Sequence, residues 1–283
     1  MITDKQKYKA NLFKALHKQK EMFVLPNAWS IGSALTFQKQ GFAAVATSSA
    51  GMAYDLGCSD GENMAFGDLL GIVEKMANRL DIPLSVDFER GYGTSTGEVR
   101  ENARQLLMAG AVGFNIEDGL PDGSLTPLPV QLDRIRALAS LKRELDIDFV
   151  INARTCAYWL NVGDDKDKLL IATERGNAFF QAGADCVFIP GNMSEATLSK
   201  LVTQIHAPIN ALLNSQFSDF GRLAHMGVRR LSVGSSPARA IYGKLIELAE
   251  KLRQGDASGL LDTRFSYDGA NHYFTQQTKN RPD

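Results

Sequence analysis

Short apolar runs recur along this chain, and the stretches between them are long enough for one helix each. Eight stand out: Phe23–Leu25, Ala43–Thr47, Leu84–Asp87, Val112–Glu117, Phe149–Asn152, Cys186–Pro190, Ile209–Leu213 and Arg230–Gly234. They do not alternate with polar residues, as expected of strands covered on both faces in a parallel sheet. Between them the pattern turns helical. In Glu98–Ala109 the apolar residues Val99, Ala103, Leu106 and Leu107 share one face, and Thr96 is the expected N-cap. Helical stretches end at Gly41, Gly110, Gly183 and Gly227, each just before an apolar run. A glycine there closes a helix with left-handed backbone. Alternation of about eight strands with helices predicts an α/β protein, a (β/α)8 TIM barrel, with a doubly wound open sheet as the alternative. No linker divides the chain. One domain over residues 1–283 is therefore expected, with a largely polar tail from about Gly255 that carries the aromatics Phe265, Tyr267, Tyr273 and Phe274.

Composition narrows the class. With 44% hydrophobic and 22% charged residues, the 283-residue chain has the make-up of a soluble globular protein. A net charge of −1 provides no field for nucleic acid or an anionic membrane. No apolar run reaches the roughly 18 residues of a membrane span, and the polar start has no signal-peptide core. Cys58, Cys156 and Cys186 are far apart and form no metal pattern, which predicts a reduced, cytoplasmic setting.

Barrel enzymes carry their chemistry where strands end, and here those ends are polar and small. They include Asn27, Ser48–Gly51, Asp87, Glu89, Glu117, Asn152, Arg154, Asn210 and Gly234–Ser236. Asp87 and Glu89 are two residues apart, so a regular strand would point both to one side. Carboxylates converging with Glu117 would repel one another unless a hard cation sat among them, and Mg²⁺ suits such oxygen ligands. Asp87 is the expected direct ligand, with Glu89 and Glu117 acting partly through water. A salt bridge to a barrel arginine is the alternative for each. Arg154 offers a planar fork for a carboxylate or phosphonate, or pairs with Glu117 or Asp87, and both roles are compatible. The Ser48 hydroxyl and the N–H groups of the Ser48–Gly51 turn suit an oxyanion, or simply form a tight turn. Asp60 lies in the Gly-, Asp- and Ser-rich stretch Tyr54–Asn63, which reads as a lid over the site or as a plain surface loop. Gly91–Gly97 lacks a nucleotide-loop signature, and its glycines are expected to let the chain turn sharply. His17, His206, His225 and His272 have no paired spacing, and Cys156 is expected to be a buried, inert thiol.

Taken in order, Leu25–Trp29, Thr47–Gly51, Asp87–Gly93, Ile116–Asp118, Ile151–Thr155, Phe188–Gly191 and Ser232–Ser235 resemble the phosphoenolpyruvate mutase/isocitrate lyase superfamily, from about Leu25 to Leu252. The resemblance implies a barrel whose last helix is swapped between subunits of a homodimer or homotetramer. It also implies a Mg²⁺ site for a small carboxylate or phosphonate substrate. By motif position, Asp87 matches the direct metal ligand, and Glu89 and Glu117 match the water-mediated partners. Arg154 matches the substrate-carboxylate arginine, Ser48, Ser49 and Ala50 match the turn gripping that carboxylate, and Asp60 matches the gating-loop aspartate. Isocitrate and methylisocitrate lyases carry a Lys-Lys-Cys-Gly-His loop after the fourth strand, whereas this chain has Gly119–Pro127, without Lys, Cys or His. The Lys- and Asn-bearing loop of the mutases is absent too.

These features point to a Mg²⁺-dependent lyase that cleaves a C–C bond in a 2-keto or 2-hydroxy acid through an enolate-like intermediate. Oxaloacetate decarboxylation fits because it needs an electron sink but no strong base. The alternatives are P–C mutase or hydrolase chemistry on a phosphonopyruvate-like substrate, and a non-catalytic metabolite-binding barrel.

Overall fold

The computed structural model describes residues 1–261, 263 and 265–275. Contacts divide the chain into two units, Met1–Ser235 and the segment from Ser236 onward. In the first unit every strand pair is parallel. The strands are β1 (Phe23–Leu25), β2 (Asn27–Ala28), β3 (Val45–Thr47), β4 (Leu84–Asp87), β5 (Gly113–Glu117), β6 (Val150–Arg154), β7 (Cys186–Phe188), β8 (Ile209–Leu212) and β9 (Arg230–Ser232). Their order is β1-β9-β8-β7-β6-β5-β4-β3-β2.

All eight expected strands are present, most of them trimmed by one or two residues at an end. The ninth segment arises because Pro26 splits the first stave. Proline has no N–H to donate to a ladder. Phe23–Leu25 pairs with β9, and Asn27–Ala28 pairs with β3. The Pro26 carbonyl still accepts from the Ala46 N–H at 2.9 Å. As β1 and β2 are consecutive along the chain, this stave closes the sheet into a barrel.

The helices of this unit are α1 (Asp4–Lys18), α2 (Ile31–Lys39), α3 (Ser49–Asp55), α4 (Phe66–Arg79), α5 (Thr96–Met108), α6 (Leu128–Glu144), α7 (Asp165–Gln181), α8 (Glu195–Gln204) and α9 (Phe220–His225). The expected cap of α5 is corrected by one residue. Ser95 is the N-cap, because its hydroxyl accepts from Glu98 N–H at 3.2 Å while the Glu98 carboxylate accepts from Ser95 N–H at 2.9 Å. That reciprocal pair satisfies two helix-end donors and leaves Thr96 as the first helical residue.

Helix α1 closes the N-terminal end of the barrel. Phe13 is fully buried and meets Phe23 and His17 edge-on. It sits so close to β5 that a Cβ on Gly113 would lie 2.8 Å from its ring, so only glycine fits there. Lys14 bridges Asp148 and Asp185 at 2.8 and 2.6 Å, and Lys142 reaches Asp185 at 2.6 Å. The barrel axis itself is polar. Asn115, Asn152, Asn210, Ser85, Ser232 and Arg230 are all buried, and the Arg230 guanidinium donates to Asn115 Oδ1 at 3.3 Å.

The second unit comprises α10 (Ser236–Arg253), α11 (Ser258–Leu261) and α12 (Tyr267–Thr275). Phe265, Tyr273 and Phe274 form an edge-on aromatic cluster, and Ile241, Leu245, Ile246 and Leu252 of α10 are exposed. Among the described residues no helix is long and apolar enough to cross a membrane.

Candidate active site

Four carboxylates, Asp60, Asp87, Glu89 and Glu117, influence one another electrostatically at the C-terminal end of the barrel. Asp87 ends β4 and is held on three sides. Asn115 Nδ2 donates to Oδ1 at 3.2 Å, and the Ser49 hydroxyl and N–H donate to Oδ2 at 3.0 and 3.3 Å. Its backbone N–H is held in turn by Thr47 Oγ1 at 2.8 Å.

Glu89 reaches the cluster by another route than a regular strand. β4 stops at Asp87, and Glu89 has φ +48°, a left-handed conformation that is uncommon without a glycine. Gly91 (φ +103°) and Tyr92 (φ +51°) continue the sharp turn. It stays compact because a Cβ on Gly91 would come within 2.6 Å of Val99. Glu89 accepts from the Tyr92 hydroxyl at 2.8 Å and from Glu62 N–H at 2.7 Å. Burial, and then the charge of Asp87, push its carboxyl up to about 8.

Glu117 and Arg154 are opposite residues on β5 and β6, paired at 2.7 Å. Burial is the main influence on Glu117 and raises it to about 7 despite the arginine. For Arg154 burial works the other way, but Cys156, Glu117 and Asp87 outweigh it and hold the guanidinium firmly protonated. Its plane lies near the rings of Trp159 and Phe188, and its buried Nε has no hydrogen-bond partner. An orphaned, charged donor beside a surplus of carboxylates is costly unless a ligand completes it.

The Asp60 stretch lies against this cluster. The Ser49 hydroxyl contacts Asp60 Oδ1 at 3.1 Å as well as Asp87, and burial followed by Asp87 raises the Asp60 carboxyl above its usual range. Ser48 caps α3, its oxygen accepting from Gly51 N–H at 3.1 Å. Its backbone N–H is committed to the Ala28 carbonyl at 2.8 Å, so the expected oxyanion cradle is only partly available. Ala50 is buried in the first turn of the same helix.

Asp118 faces away from the cluster, toward Arg175 (3.1 Å) and Cys156 N–H (2.7 Å). Cys156 is buried, and burial pushes its thiol up to about 12, as suits an inert residue. The run Gly119–Pro127 folds back on itself through a Gly119–Leu125 bridge and a Leu120 N–H to Ser124 carbonyl bond of 2.9 Å. Sequence reasoning missed Tyr92, Asn115, Thr47 and Glu62. Asn115 alone had a readable signal, as the residue two before Glu117 on a strand.

Do these residues fit a metal? Among the described residues no set of three or more His, Cys, Asp or Glu groups is already drawn together as ligands. The donors are oxygens carrying more negative charge than Arg154 offsets. That suits a hard cation bound by one carboxylate and reached by the others through water.

The sequence profile of phosphoenolpyruvate phosphomutase matches residues 13–253. The chain belongs to that family. It is 28% identical over 264 residues to 2-methylisocitrate lyase of Escherichia coli K12, covering 85% of this chain and 84% of that protein. It is 29% identical over 210 residues to oxaloacetate decarboxylase of Rhodopseudomonas palustris, covering 71% and 70%. The crystal structure of a candidate lyase/mutase from Burkholderia cenocepacia J2315 superposes with a TM-score of 0.89 at 30% identity, covering 96% of this chain and 98% of that one. The family's TIM barrel is thus the fold of this chain, and the relatives named above include a lyase and a decarboxylase.

Proposed function

We propose that this protein is a Mg²⁺-dependent lyase that breaks the C–C bond one carbon removed from the keto group of a 2-keto acid, with oxaloacetate decarboxylation, which splits the methylene carbon from the distal carboxylate, as the leading reaction. The observation that carries this reading is the surplus of oxygen donors at Asp87, Glu89 and Glu117 beside the unpartnered, buried Nε of Arg154. The relatives named oxaloacetate decarboxylase and 2-methylisocitrate lyase support it.

Asp87 would bind the cation directly, with Glu89 and Glu117 holding its waters. A bound Mg²⁺ supplies an electron sink for the charge that develops on the substrate. Arg154 would grip the retained carboxylate through Nε, held in plane by Trp159, Phe188 and Glu117. The Ser48–Ala50 turn would meet the same carboxylate. When CO₂ leaves, the bonding pair passes into the keto group as an enolate, and protonation of the carbon by solvent water then gives pyruvate. The closed Gly119–Pro127 turn offers no Cys, Lys or His to drive proton transfer, and decarboxylation asks for none. Asp60 meets the cluster through the Ser49 hydroxyl that it shares with Asp87.

The test is turnover of oxaloacetate with and without Mg²⁺, followed by NMR of the products. Mg²⁺-dependent pyruvate formation above the metal-only background, lost in Asp87→Ala, supports the reading. Turnover of phosphonopyruvate with phosphate or phosphoenolpyruvate as product, and none of oxaloacetate, would replace it with P–C chemistry.

A further inference from the structure

From Leu56 to Ala65 the chain is mostly exposed, yet two of its side chains turn inward. Met64 is buried, and the Glu62 side chain keeps only 16% of its surface exposed. Glu62 reaches this position with φ +61°, in the left-handed region that strains a residue bearing a side chain. Such strain persists only where the surroundings over-determine the residue. Here they do. Glu62 Oε1 accepts from the N–H groups of Arg90 and Tyr92, both at 2.9 Å. Its Oε2 accepts from the Arg90 guanidinium at 2.9 Å. Its own N–H donates to Glu89 Oε2 at 2.7 Å. One residue of the Asp60 stretch thus grips Glu89, Arg90 and Tyr92 of a single tight turn that is itself left-handed at Glu89, Gly91 and Tyr92.

We propose that Glu62 is a positioning residue, the latch that holds the Asp60 segment shut over the carboxylate cluster by clasping Arg90 and Tyr92. The role of the cluster as a catalytic site rests on the preceding reading, but the latch itself does not. Met64 anchors the far side of the segment by apolar burial, so losing the latch frees the Asp60 end without unfolding the helix that follows.

Amide hydrogen exchange of the full-length, ligand-free protein tests the latch independently of any activity. In Glu62→Ala, the amides of residue 62, Arg90 and Tyr92 should exchange about tenfold faster or more, because three hydrogen bonds to a carboxylate are lost and the segment is released from Glu89, while the barrel strands keep their protection. Arg90→Ala, which keeps both backbone donors, and Glu62→Gln, which keeps two acceptor contacts, should show smaller increases. Unchanged exchange at residue 62, Arg90 and Tyr92 in Glu62→Ala overturns the proposal. A rise spread over the barrel in all three variants also overturns it, since that marks a merely structural residue. Stopped-flow dissociation of oxalate, a dicarboxylate probe, in the presence of Mg²⁺ adds the functional readout. The latch requires faster dissociation in Glu62→Ala at an unchanged Mg²⁺ affinity, and equal dissociation rates contradict it. If wild-type protein holds no oxalate, the assignment of the site fails, while the exchange result still decides the latch.

Discussion

The two ends of the barrel handle charge in opposite ways. At the N-terminal end, Lys14 and Lys142 interlock with Asp148 and Asp185, and Asp185 also accepts from Ile151 N–H at 2.8 Å. Two cations face two anions, and the ring of Phe13 seals the interior behind them. A cavity of about 600 Å³ opens there, lined by Lys14, His17, Asp185, His206 and Arg229 among others, but none of the clustered carboxylates reaches it. At the C-terminal end, Asp60, Asp87, Glu89 and Glu117 face the single guanidinium of Arg154, whose Nε is left over. Charge that is matched holds a fold together. Charge left in surplus, and held there by hydrogen bonds from Ser49, Asn115 and Tyr92, is a site waiting for a ligand.

The comparison breaks most sharply at Asp87. Asp87→Ala should lower turnover of an active substrate by about 10³-fold, the loss expected when a reaction's main electrostatic stabiliser goes. Its melting temperature should not fall, since one of several repelling carboxylates has been removed. Steady-state kinetics and calorimetry check both. Arg154→Met should cost about 10²-fold in kcat/KM through loss of a charged, bidentate contact, measured on the same substrate. At the other end the pattern inverts. Asp185→Asn leaves two half-buried ammonium groups with only Asp148 as their shared anion and should destabilise the fold by about 1–2 kcal/mol in urea titrations, with kcat unchanged.

A smaller effect comes from pH. Glu117 and Glu89 are raised to about 7 and about 8 from the ordinary value of 4.5. The folded, metal-free protein thus keeps protons that the unfolded chain gives up, so its stability declines as pH rises from about 4.5 toward 8. Mg²⁺ competes with those protons. Its affinity should rise across pH 7 to 8, by about tenfold per pH unit for each proton displaced, as titration calorimetry at several pH values would read.

The fold was legible because both-face burial leaves short apolar runs, and helix-ending glycines mark where each begins. The broken first stave was not, since Phe23–Ala28 reads as one run interrupted by a proline, and only the ring requires both halves to pair. Asp87, Glu89, Glu117 and Arg154 could be picked out as polar residues at strand ends. The reason given for Glu89 was wrong in detail: it joins the cluster through left-handed backbone beyond the strand, not through strand periodicity. Glu62 and Tyr92 were invisible because their partners are set by two loops folding onto each other, which no periodic pattern encodes. Arg230 lay hidden inside an apolar-looking run, although it is fully buried on the barrel axis, where burial depresses it to about 10.

The central claim is that the carboxylate surplus at the C-terminal end exists to take a divalent cation. Titration calorimetry of Mg²⁺ at pH 8 into the wild-type protein and into Asp87→Ala tests it most directly. The account predicts one saturable site per chain in the wild type and none in the variant. Equal binding by both proteins, or no binding by either, would contradict it.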